Sequence, residues 1–73
     1  MRIEFNNNTL IVLLYDDNNL EILLKTLTEL EKMLCKRLSI DFNGASEVLI
    51  DVDDYYEYQS LRRNIYNHCP IYP

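Results

Sequence analysis

The chain reads as an α+β domain: a two-layer ββαββα fold with a four-stranded antiparallel sheet and both helices on one face. Three observations predict it. Short strand-like segments occur in two pairs, one joined by Asn6-Asn7-Asn8 and the other at Asn43-Gly44. A leucine stripe at three- and four-residue steps separates the pairs. The first hairpin also resembles the second when the sequence is shifted by 37 residues.

In Arg2–Phe5, Ile3 and Phe5 point one way and Arg2 and Glu4 the other, which predicts a half-buried strand. Asn6-Asn7-Asn8 follows as a turn, because asparagine tolerates left-handed backbone angles. Thr9–Tyr15 is a second strand, apolar on both sides. Asp16-Asp17-Asn18-Asn19 stops it, and Asn18 with Glu21 forms a candidate capping box. A helix is expected from Asn19 to Arg37. Leu20, Leu23, Leu24, Leu27, Leu30 and Leu34 make its apolar stripe, with Glu21, Lys25, Glu29, Lys32 and Lys36 opposite.

Leu38–Phe42 alternates as a third strand. Asn43-Gly44 is a strong hairpin signal, since both residues accept positive φ. Glu47–Val52 returns as the fourth strand, with Val48, Ile50 and Val52 inward. Asp53 and Asp54 cap a second helix running to about His68, whose stripe is Tyr55, Tyr58, Leu61 and Ile65 and which Pro70 ends. A single domain over 1–73 thus divides into a hairpin–helix unit at 1–37, a second at 38–69 and a tail at 70–73.

The shift of 37 superposes residues 2–17 on 39–54. Ile3/Ile40, Phe5/Phe42, Asn6/Asn43, Asp16/Asp53 and Asp17/Asp54 are identical, and five further positions are conservative. Two hairpins related by a pseudo-twofold make one sheet. The apolar strands belong at its centre and the charged ones at its edges, which predicts the order 1-2-4-3, with 2-1-3-4 as the alternative. Taken without a gap, the repeat makes Ile11, Leu13 and Tyr15 equivalent to Val48, Ile50 and Val52, hence inward. Leu10, Val12 and Leu14 then point outward with Leu49, as an apolar patch that calls for a covering partner. The expectation is a homodimer associated through Leu10, Val12, Leu14 and Leu49.

Apolar residues make up 48% of the chain and charged residues 26%, a globular balance. Twelve acids against seven bases leave a net charge of -5, which argues against direct binding of a nucleic-acid backbone. The longest apolar run, Leu10–Tyr15, is far short of the roughly 20 residues of a membrane-spanning helix. With two cysteines and no signal-like N-terminus, the expected setting is a reducing cytoplasm, with no membrane association.

Chemistry is sparse. His68, Cys69 and Cys35 are three potential metal ligands without close spacing, so no metal site and no cofactor are expected. Gly44 stands alone and no phosphate loop is present. No catalytic residues are assigned, and an enzyme using Cys35 or His68 trails the other readings. Six acids and no base lie between Asp41 and Glu57, with tyrosines interleaved. Tyrosine suits protein interfaces and carboxylates steer basic partners, so Asp51, Asp53, Asp54, Tyr56 and Glu57 form the candidate partner-binding segment.

The function these features point to is a small acidic interaction module acting by stoichiometric binding. Such a surface could imitate a nucleic-acid backbone and occupy the basic groove of a nucleic-acid-processing protein, and the eight asparagines fit a phage-type inhibitor from an AT-rich genome. The alternative is a structural or accessory subunit of a larger assembly.

Overall fold

The computed structural model describes Met1–Asp16, Asn18–Gly44 and Ser46–Ile71. Six elements follow in chain order: β1 (Arg2–Asn6), β2 (Thr9–Leu13), α1 (Asn19–Leu34), β3 (Ser39–Asn43), β4 (Glu47–Asp51) and α2 (Tyr55–His68). The strands form one antiparallel sheet in the order β1-β2-β4-β3, as the distribution of apolar and charged strands predicts. The shortest molecular extent, 19 Å, matches one sheet layer plus one helix layer.

The two hairpins close differently. Asn6 pairs with Thr9 across a two-residue turn in which Asn7 (φ 50°) and Asn8 (φ 55°) are both left-handed, as a primed hairpin turn requires. In the second hairpin Asn43 belongs to β3 and pairs with Glu47, leaving three residues, 44–46, in the loop. Gly44 carries a positive φ of 68° there, whereas Asn43 keeps strand geometry.

That one extra loop residue overturns the inward and outward assignment of β2. β1 and β3 superpose at a shift of 37, but β2 and β4 superpose at 38, and a one-residue slip moves every side chain to the opposite face. Leu10 lies opposite Ile50, and Val12 opposite Val48, on the face beneath the helices. Leu10 and Val12 are 0% exposed and Leu14 is 6% exposed. The expected outer patch is therefore core, apart from the half-buried Leu49. Tyr15, expected inward, is 72% exposed.

With this correction the pseudo-twofold is visible in hydrogen bonding. The Leu14 N–H donates to the Ser46 carbonyl (2.8 Å), and the Val52 N–H donates to the Asn8 carbonyl (2.9 Å). Each central strand thus ends against the turn of the other hairpin. The expected identity of Asp17 with Asp54 lies outside the described residues, as do Tyr72 and Pro73.

α1 is shorter than its leucine stripe suggests. Cys35 takes a left-handed conformation (φ 51°, ψ 40°) and its N–H closes back onto the last helical turn, so Lys36 and Arg37 lie beyond the helix. Leu23, Thr26, Leu27 and Leu30 face the core. Leu24 is half-buried and Leu34 is exposed, because the helix is rotated toward Thr26. The buried Thr26 hydroxyl donates to the Ile22 carbonyl (3.1 Å), which satisfies it within the helix. Asn18 makes no side-chain cap. Asp16 performs that work instead, accepting from the Asn18 N–H at its Oδ1 (3.0 Å) and from the Asn19 N–H at its carbonyl (2.9 Å).

α2 starts as expected. Asp54 is extended, and its Oδ1 accepts from the Glu57 N–H (2.8 Å). Tyr58, Leu61 and Ile65 enter the core, and Cys69 and Ile71 of the tail pack there as well.

Candidate protein-interaction surface

Both helices cover one face of the sheet, so alternation along the strands fixes the composition of the other. Strand pairing arranges that open face in three rows. Asn6, Thr9, Asp51 and Ser39 form one, Glu4, Ile11, Leu49 and Asp41 the middle one, and Arg2, Leu13, Glu47 and Asn43 the third. Ile11 and Leu49 are directly opposed at the centre, with Leu13 beside Ile11 on β2, and all three are half-buried. Glu4 and Asp41 end the central row, while Glu47 and Asp51 mark the two ends of β4. From strand spacing this frame is about 14 Å across and about 14 Å along β4.

Two of the framing carboxylates are oriented by neighbours on the same face. Ser39 donates its hydroxyl to Asp51 Oδ2 (3.3 Å), and the Asn43 side-chain amide donates to Glu47. Glu4 pairs with Arg2 at 3.0 Å, an exposed contact of small energetic weight.

β4 leads from Asp51 through Val52 and Asp53 into α2, which gathers the rest of the expected acidic segment at one end of the sheet. Asp51, Asp53, Asp54 and Tyr56 are all exposed, Tyr56 at 80%. They do not act alike. Asp54 is committed to the helix cap. Glu57 is half-buried and binds the Lys36 ammonium, which also lies 3.7 Å from Asp53. The Lys36 hydrogen bond holds the Glu57 carboxyl below the usual carboxylate range, against partial desolvation and with help from the Asp53 N–H. The same contact raises the Lys36 ammonium above its ordinary value. Within this segment, Asp51 and Tyr56 are therefore the groups free of both the cap and the lysine.

Next to this end, Phe5, Tyr55 and Tyr58 form a three-ring cluster with centroids 4.7–5.6 Å apart. It ties the first turn of α2 to the β1 edge.

Charge is segregated between the two sides of the molecule. Glu4, Asp41, Glu47, Asp51, Asp53, Asp54 and Glu57 lie on the open face or the adjoining end, with two bases, Arg2 and Lys36, both paired. The other described side chains include four acids and five bases, so the net charge of -5 is concentrated on the open face and the end of the sheet that leads into α2. Two shallow depressions among the described residues lie elsewhere. They run along the exposed side of α1, past Leu24, Thr28, Lys32 and Cys35, and are open to solvent.

The residues considered for chemistry are dispersed. Cys35 is exposed at the end of α1, with its thiol 3.8 Å from the Lys32 carbonyl. His68 is exposed and Cys69 is buried. Among the described residues, no three His, Cys, Asp or Glu side chains converge as a metal site would need. No helix among them is long and apolar enough to cross a membrane.

The chain matches no family model, no curated protein and no solved structure. Its own geometry is what bears on function.

Sequence reasoning placed Glu47, Leu49 and Asp51 on the open face but missed Ile11 and Leu13 there, and with them the framing positions of Glu4 and Asp41. No local signal sets the phase of β2: Asn43-Gly44 reads as a two-residue turn, and only the pairing shows Asn43 held in β3 with three residues in the loop.

Proposed function

We propose that this protein is an acidic interaction module that binds a basic protein partner in fixed ratio through the open face of its sheet. One observation carries the reading: the helix-free face presents Ile11 and Leu49 inside a frame of four carboxylates, with Leu13 beside them, while the helical side is nearly balanced in charge. An apolar centre with a charged rim is the usual anatomy of a protein interface. The carboxylates steer a basic partner and the aliphatic centre holds it. The partner class that fits is a nucleic-acid-processing protein with a basic groove, which the bound module would inhibit by occupancy.

The test compares three variants by affinity capture from a lysate, followed by titration of the purified captured protein. Leu49→Asp and the double change Asp41→Lys/Asp51→Lys should lose a basic partner that wild type and the helix-side control Glu29→Lys retain. Wild-type binding should weaken from low to high salt. Binding that ignores salt and the carboxylates but needs Leu49 would favour the assembly-subunit reading. Equal binding by all variants would reject this face.

A further inference from the structure

We infer that β3 is a self-association edge, through which two copies of the chain pair antiparallel to form a continuous eight-stranded sheet. The inference concerns the sheet's edge, not its open face, and stands independently of the partner proposed above.

The two edges of the sheet are protected to different degrees. On β1, Arg2 and Glu4 pair with each other, and Phe5 is covered by Tyr55 and Tyr58 from the first turn of α2. Charged side chains and a covering element are the usual means of keeping an edge strand from pairing. β3 has neither. Ser39-Ile40-Asp41-Phe42-Asn43 contains no lysine, arginine or proline, and four of its five residues are exposed.

Phe42 is the telling residue. It is the repeat equivalent of Phe5 and faces the same side of the sheet as the core, opposite Val48. The pseudo-twofold assigns the first turn of α1 to its cover. There Asn19 and Ile22 occupy the helix positions that Tyr55 and Tyr58 occupy in α2. They do not seal it: Phe42 remains 52% exposed, and Ile22 is exposed too. A row of unpaired backbone groups beside an uncovered aromatic ring is a template for another strand with an apolar side chain at the matching position.

A second copy supplies both. Twofold pairing centred on Phe42 sets the two rings against each other and places Asp41 opposite Asn43 of the other copy, an acceptor facing an amide donor. Centring one residue earlier would oppose Asp41 to Asp41, which like-charge repulsion disfavours.

The edge contact itself is small, with about 100 Å² from each Phe42 ring. The dimer is therefore weak and dissociates in the micromolar to millimolar range.

Sedimentation equilibrium of the protein alone, from low micromolar to about millimolar concentration, should show a monomer–dimer equilibrium that Phe42→Lys shifts to monomer. Circular dichroism checks that this variant is folded, as the exposure of Phe42 leads one to expect. In a Cys35→Ser background, Phe42→Cys should form an intermolecular disulfide about tenfold faster than Ile11→Cys, because pairing raises the local thiol concentration. A monomer mass throughout the range overturns the inference. So does a dimer unaffected by Phe42→Lys, or faster crosslinking at position 11. None of these measurements involves the basic partner, so failure here leaves the open-face reading standing.

Discussion

Replacing Leu10 and Ile11 one at a time by alanine tests the phase of β2. Leu10 is fully buried opposite Ile50, whereas its neighbour Ile11 sits half-buried on the open face opposite Leu49. Truncating a fully buried leucine costs about 2–5 kcal/mol from lost burial and the remaining cavity. A domain of this length has a total stability of only about 4–11 kcal/mol. Leu10→Ala should therefore consume a large share of it, whereas Ile11→Ala, which leaves no enclosed cavity, should cost about 1 kcal/mol. With a urea slope near 1 kcal/mol/M for so small a protein, the midpoint should fall by about 2 M or more for Leu10→Ala and by about 1 M for Ile11→Ala. Urea titrations followed by circular dichroism read both. An Ile11→Ala loss equal to or greater than that of Leu10→Ala would refute the register on which the open face depends.

The α2 cap should be separable from the acidic surface around it: Asp54→Ala is expected to cost about 1 kcal/mol by chemical denaturation, and Asp54→Asn much less, because asparagine still accepts from the Glu57 N–H. Cys35→Gly should stabilise the fold by about 0.5 kcal/mol, since relief of a left-handed non-glycine residue outweighs the extra freedom glycine gives the unfolded chain; an unchanged or lower thermal midpoint would count against strain there. The Lys36–Glu57 contact should leave a two-sided pH signature. Glu57 has a lowered folded-state pKa, so its contribution is present above its unfolded value near 4.5 and is lost as pH falls through the folded one. Lys36 has a raised pKa, so its contribution is full below 10.5 and is lost as pH climbs through the folded value. Thermal midpoints of Glu57→Gln across the acid and alkaline ranges should show both slopes reduced relative to wild type.

Much of this molecule is determined locally. Alternation specifies the strands, the leucine steps specify α1, and Asp54 specifies where α2 starts. These are short-range properties, set by backbone sterics, helix periodicity and the need to bury apolar side chains, so the residues declare them directly. Leucine spacing could not set the rotation of α1 or its end, because Cys35 and Thr26 carry no strong helix-end or core signal of their own.

What only the tertiary structure decided is which side of β2 is inside. Leu10–Leu14 is aliphatic at every position, so the strand carries no facial preference of its own. Its phase is set by pairing with β4 and by a second hairpin loop one residue longer than the first. Because side chains alternate with a period of two, that single residue exchanges core for surface along the whole strand. It buries Leu10, Val12 and Leu14, and it turns Ile11 and Leu13 to the open face, Ile11 opposite Leu49 within the frame of carboxylates.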